Sequence, residues 1–275
     1  MHSSSNIEWT DTTWNPTTGC SRVSSGCDNC YAMMMARRFD GLGNGYDGTT
    51  RQTSHGTDWT GVVRLHDDRL AEPLSWQKPR LVFVDSMSDL FHPAVPFKFI
   101  DKVFAAMVLA SSHVFQILTK RPERMAEYMK PGESELRQRW REMAEETFSQ
   151  CADPAYPPEN VWLGTSVENQ EAAHRVDHLR DVDASVRFLS LEPLLGPLPD
   201  LNLAGMDWVI VGGESGHQAR QMKKEWVVDI RDECQKAGVP FFFKQWGGRH
   251  SKDGGRKLEN EEWNQMPHGT DLVSA

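Results

Sequence analysis

Short apolar runs, each ending in polar residues and followed by a helix-like stretch, recur along this chain. The runs are Leu81–Val84, Val114–Leu118, Val161–Leu163, Val186–Leu189, Trp208–Val211 and Pro240–Phe243. Several are continuously apolar, the pattern of strands covered on both faces in a parallel sheet. A further strand is expected around Ile7–Thr13. Between the runs, 97–110 follows Pro96, a good first-turn residue, and 133–148 and 168–180 carry helix-compatible charge patterns. Residues 224–237 end at Gly238, a C-terminal cap, with Pro240 just beyond. Tyr31–Phe39 is rich in the helix formers Ala, Met and Arg. Repeated βα units predict an α/β fold, a partial or complete parallel β/α (TIM-like) barrel in a single domain spanning 1–275. A loop insertion over about 40–78 and a C-terminal extension over about 247–275 complete the expectation.

Composition changes this picture little. The chain has 275 residues, 39% hydrophobic and 25% charged, as globular proteins do. It has no apolar run of about 18 residues, so no membrane partner is expected. Its first six residues lack the apolar core of a signal peptide, and a cytoplasmic protein is expected. The net charge of −9 argues against broad adhesion to nucleic acid but leaves room for a local cationic groove.

Cysteine spacing is more telling. Cys20, Cys27 and Cys30 form C-x6-C-x2-C, while Cys151 and Cys234 stand alone. In a reducing compartment such a cluster reads as metal binding before disulfides. Three thiolates can hold three irons of a cubane and leave the fourth open for chemistry. Structural zinc with a fourth His or Asp, a redox disulfide at Cys27/Cys30 and unrelated free thiols are the competing readings. Gly19 and Gly26, each directly before a cysteine, would let backbone wrap closely around sulfide.

The six apolar runs all end in groups able to bind a ligand, and in parallel sheets sites form at the carboxyl ends of strands. Ser86, Ser88 and Asp89 follow the first run; a cap or turn role is their simpler explanation. Lys120 and Arg121 follow the second, and Lys244 the sixth; together they would make a cationic rim, although each alone suits a solvated surface. Ser166, Glu168 and Asn169 would suit ribose hydroxyls, against a capping role for Ser166. Glu192 and Glu214 end the fourth and fifth runs, and Trp246 would stack on a ring or simply pack.

Read together, Glu8–Cys20, Cys27–Ala32, Ser86–Phe91, Leu118–Pro122, Gly164–Glu168, Ser190–Pro193, Gly212–Ser215 and Phe243–Gly248 make the chain similar to a phage- and bacterium-associated three-cysteine family of poorly defined function. Through its cysteine loop the chain resembles the radical S-adenosylmethionine superfamily. The first cysteine gap is three residues longer than that superfamily's C-x3-C-x2-C, and Asn29 stands where an aromatic residue usually precedes the third cysteine. The resemblance implies a [4Fe–4S] cluster on Cys20, Cys27 and Cys30, and S-adenosyl-L-methionine chelated at the open iron. Ser86, Ser88, Asp89, Ser166, Glu168, Asn169 and Glu192 would bind the cofactor. Lys120, Arg121, Glu214, Lys244 and Trp246 would face the substrate. It also implies an electron donor such as flavodoxin or ferredoxin, and a 5′-deoxyadenosyl radical acting on a nucleotide, a nucleic-acid base or a base adduct. The alternative is a non-catalytic, zinc-stabilised module that binds nucleic acid or a partner protein.

Overall fold

Seven parallel strands form the frame. They are β1 (Thr12–Trp14), β2 (Leu81–Val84), β3 (Val114–Thr119), β4 (Val161–Ser166), β5 (Val186–Leu191), β6 (Trp208–Gly212) and β7 (Phe241–Gln245). The computed structural model describes residues 5, 7–54, 56–250 and 253–267. Strand order in the sheet follows chain order from β1 to β7, and the first and last strands do not pair. Right-handed crossovers in one constant direction put every connection on the same face. A sheet covered on one face alone must hide the other by curling, and the result is a half-barrel flanked by helices.

The helices are α1 (Tyr31–Phe39), α2 (Phe97–Leu109), α3 (Pro122–Met129), α4 (Glu133–Phe148), α5 (Arg175–Arg180) and α6 (Lys224–Ala237). No helix among the described residues is long and apolar enough to cross a membrane. The convex core packs alternate strand residues such as Val82, Phe115, Leu163, Leu189, Val209 and Phe243 against these helices. Leu194, Leu198, Leu203 and Met206 stand in for a helix between β5 and β6. Within the helical layer Tyr128 donates to Asp101, Trp140 donates to Tyr128, and Arg139 pairs with Asp101 at 2.7 Å, so the buried polar atoms find partners.

The concave face carries the other residues of each strand. Trp9, Trp162, Phe188, Trp208, Ile210 and Phe242 fill it as an apolar plug. The Trp208 ring lies about edge-on to Trp9, Trp162 and Phe242, with centroids 6.0–6.2 Å apart, a favoured aromatic geometry. The chain ends complete the plug: Ile7 and Met266 pack on it, and the Trp208 indole donates to the Gln265 carbonyl. The segment 263–265 also covers the outer edge of β7, since Phe243 N donates to Trp263 O and Gln265 N to Phe241 O. A covered edge cannot recruit a foreign strand.

Several expectations need correction. The first strand is short, Thr12–Trp14, because the chain from Ile7 to Thr10 turns inward to bury Trp9. The stretch 168–180 splits into a single 3-10 turn (Gln170–Ala172) and α5, with Asn169 capping the turn. The loop insertion expected over about 40–78 contains an antiparallel hairpin of Thr50–Thr53 and Gly56–Trp59. Its polar sequence hides the strand signal; only Thr50 and Trp59 are buried. The expected C-terminal extension forms a small hairpin, Lys257–Leu258 with Glu261–Glu262, and its last residues, 268–275, lie outside the described ones. Helix α3 is an addition to the expected elements, starting at Pro122 directly after the second polar strand end.

Trp208→Ala empties the centre of the plug and removes its bond to the C-terminal segment. It should cost about 3–5 kcal/mol of unfolding free energy, read from the midpoint of a urea titration against Val62→Ala, an exposed change expected to fall within about 0.5 kcal/mol.

Candidate functional site: the cysteine loop at the strand ends

Gly19 opens the loop in a left-handed turn (φ +89°), and a side chain there would collide with the Val62 carbonyl. The chain then crosses the carboxyl ends of the strands as far as Cys30, whose carbonyl accepts from Met34 N in α1. Cys27 sits in a 3-10 turn, Ser25–Cys27. Cys20 and Cys30 pack with Met33, Ala36, Tyr46, Trp59 and Met87.

Three ion-pair clamps hold this loop. At the ends of β2 and β3, Asp89 meets Arg121 at 2.6 Å and also accepts from Thr119 Oγ1, Phe91 N and Lys120 N. The Arg121 guanidinium reaches on to the Ser21 carbonyl (3.0 Å) and hydroxyl (2.9 Å), and to Cys20 Sγ at 3.9 Å. His92 Nε2 shares a hydrogen bond with the same Ser21 hydroxyl. At the end of β4, Glu168 is fully buried; Arg175 lies 2.9 Å and Lys120 3.5 Å from its carboxylate. Its other oxygen accepts from the Ser24 hydroxyl and from Gly26 N. Beyond β6, Glu214 pairs with Arg220 at 2.6 Å and accepts from the Asn29 amide, while Arg220 donates to the Ser25 carbonyl.

The clamps hold Glu168 and Glu214 below the usual carboxylate range. Burial acts to raise Glu168, but Lys120, Ser24 and Arg175 together outweigh it and hold the group below the usual range. Glu214 is likewise lowered: burial opposes, and Arg220 with Asn29 prevails. Burial acts to lower Arg121, and Asp89 and Cys20 raise it overall.

The remaining sequence candidates lie around these clamps. Ser86 donates to the Asn15 amide oxygen, and Ser88 to the Thr17 carbonyl. The Ser166 carbonyl accepts from Arg175, and Asn169 Oδ1 accepts from Ala172 N. Glu192 and Lys244 pair at 2.7 Å. Trp246 turns toward the C-terminal segment, its indole donating to Lys257 O and its ring packed on Phe243. Ser21, Ser24, His92 and Arg175 carried no sequence signal of their own; Ser21, Ser24 and His92 matter through partners far along the chain, and Arg175 through Glu168, seven residues before it. Gly26 does permit a close approach, but by the Glu168 carboxyl, which would lie 3.1 Å from an added Cβ. A cleft of about 370 Å³ opens between the loop and the 169–178 segment, lined among others by Val23, Ser24, Lys120, Asn169 and His174.

Among the described residues no three His, Cys, Asp or Glu side chains form a ready metal-ligating group. Cys20, Cys27 and Cys30 nonetheless lie close along the chain. The three thiols share one loop, and charge on Cys30 would feel Cys20 on one side and Cys27 on the other. Burial first, then Asp89, pushes Cys20 up to about 12, while Arg121 opposes; burial also raises Cys30, against Lys120. A metal bound by such thiols would replace their protons.

Among the described residues a fourth carboxylate, Asp85, has no cation among its hydrogen-bonding partners. It follows β2 with φ +57° and contacts Thr17 N and Oγ1, both at 3.0 Å, while Thr17 Oγ1 lies 2.6 Å from Ser88 Oγ. Burial, with Asp89 adding, pushes it up to about 7. The folded state then binds the proton more tightly than the unfolded one. Its stabilising contribution is complete below about pH 4 and is lost as pH rises through about 7. Asp85→Asn keeps the shape and tolerates the backbone. It should flatten the pH dependence of the urea midpoint over that window by roughly 2–4 kcal/mol. Glu168→Ala strands Arg175 and frees Ser24 and Gly26. It should cost about 3–5 kcal/mol and speed amide exchange across the loop, whereas exposed Glu171→Ala should do neither.

The clamps join residues from Ser21 to Arg220, so kinship based on them has to extend over nearly the whole chain. Neither curated proteins nor solved structures provide a match. A family model does, over residues 4–267, and the chain belongs to that family, DUF5131, a protein of unknown function.

Proposed function

We propose that this chain is a radical S-adenosylmethionine enzyme, with Cys20, Cys27 and Cys30 as ligands of a [4Fe–4S] cluster. When bound, the cluster and S-adenosylmethionine supply one-electron cleavage of a carbon–sulfur bond, and hence a 5′-deoxyadenosyl radical that abstracts hydrogen from substrate. The observation that carries the reading is the address of the loop: three thiols held by Asp89–Arg121, Glu168–Arg175 and Glu214–Arg220 across the carboxyl ends of an open parallel half-barrel. Ligand sites of parallel α/β folds form at that end.

The chain's own residues have definite tasks in this reading. The clamps fix the loop before any ligand arrives, which is what a reactive site requires. Arg121 and Lys120 offset thiolate charge. The cleft beside the loop has the size of a small-molecule site, with Val23 as its apolar wall and Ser24, Lys120 and Asn169 as polar contacts. The aromatic plug closes the far end of the half-barrel to water, which protects a reactive intermediate. Substrate is a nucleotide, a nucleic-acid base or a base adduct, and the electron comes from a flavodoxin or ferredoxin.

Anaerobic reconstitution with iron and sulfide should give brown protein with about four irons per chain that cleaves S-adenosylmethionine when reduced with dithionite. Cys27→Ala should lose the iron and the colour; Cys234→Ala, a change in the convex core, should keep both. Colourless protein holding one zinc and taking up no iron establishes the zinc-stabilised module instead.

A further inference from the structure

One charged pair at the strand ends takes no part in clamping the loop. Along the concave face, register sets Leu118, Gly164, Phe188 and Trp208 in one row and Ser166, Ser190, Ile210 and Phe242 in the next. Two residues further along their chains come Glu192 after β5 and Lys244 on β7. The face thus changes from aromatic plug, through two buried serines, to an ion pair. Lys244 Nζ donates to Glu192 Oε1 at 2.7 Å, and the side chains are 15% and 22% exposed, deep but reached by solvent. The pair spans three strands because Gly212 on β6, between them, has no side chain: an added Cβ would lie 3.0 Å from the Glu192 carboxyl carbon. Among the described residues Glu192 accepts a side-chain hydrogen bond from Lys244 alone. A largely desolvated pair contributes little net stability, and among the described residues its side-chain hydrogen bond is not to the loop.

We infer that Glu192 and Lys244 read the Watson–Crick edge of a guanine base at the mouth of the half-barrel. Guanine offers two adjacent donors, N1–H and the 2-amino group, beside one acceptor, O6. A carboxylate accepts both donors at once, and an ammonium directly beside it donates to O6. The pair stays joined throughout: a carboxylate has about four lone-pair sites and an ammonium three protons. Cytosine and adenine each offer a single amino donor next to a ring acceptor, which would face the carboxylate unfavourably. Uracil flanks its one N–H with two carbonyls, one of which meets Glu192. An amino acid's ammonium and carboxylate would have to split the pair, leaving neither charge with its present partner.

This assignment rests on the proposed function for its role in a reaction, but base binding itself requires no cluster. Calorimetric titration of the full chain, with and without reconstituted iron, should show guanosine monophosphate binding at least about tenfold tighter than cytidine, adenosine or uridine monophosphate. Glu192→Gln and Lys244→Met should each weaken it by about tenfold or more. Gly212→Ala, which displaces the carboxylate without removing it, should weaken it too. Melting curves of all three variants keep loss of binding apart from loss of fold. Equal binding of the four nucleotides, unchanged binding by a folded Glu192→Gln variant, or displacement by a free amino acid each overturns the assignment. Guanine binding without iron uptake leaves the assignment standing and removes the radical chemistry; iron uptake without guanine preference does the reverse.

Discussion

Three carboxylates buried at the ends of parallel strands impose the constraint on which the rest depends. Asp89, Glu168 and Glu214 are all less than 10% exposed, and a buried charge survives only when paired and hydrogen-bonded. Each finds an arginine, and each clamp then spends its spare hydrogen-bonding capacity on the cysteine loop. Ser21, Ser24, Ser25, Gly26 and Asn29 supply the hydroxyls, carbonyls and amides that complete the clamps. The loop is thus held as a by-product of neutralising charge, and three thiols are carried along with it.

The half-barrel explains why those charges gather in one place. Constant-direction crossovers put all strand ends on one rim and helices α2 to α6 on the convex face. The concave face has no helix to cover it. At its far end the chain fills it with tryptophan and phenylalanine; toward the rim, Ser166, Ser190, Glu192 and Lys244 replace them. A polar rim over an apolar plug is a consequence of this one-sided layering.

Local patterns were the readable part. Leu81–Val84 and Glu133–Phe148 have the bounds their hydropathy implies, because burial on both faces and helix-compatible charge patterns each leave a short-range mark. The three cysteines were visible from spacing alone. Their surroundings were not. Arg121 is 32 residues from Asp89, and Glu168 is 144 from Ser24; nothing local marks such partners. The hairpin at 50–59 was equally hidden, since its polar strands bury little.

The sequence by itself determined that parallel strands alternate with helices, that each strand ends in groups fit for chemistry, and that three thiols share one loop. These follow from periodicity and spacing, which act over a few residues. Only the tertiary structure decided which polar groups became clamps on the loop and which did not. Asp89, Glu168 and Glu214 on one side, and Glu192 with Lys244 on the other, look alike as residues after strands. Register and sheet curvature separate them, because those set which cation and which stretch of loop each carboxylate meets.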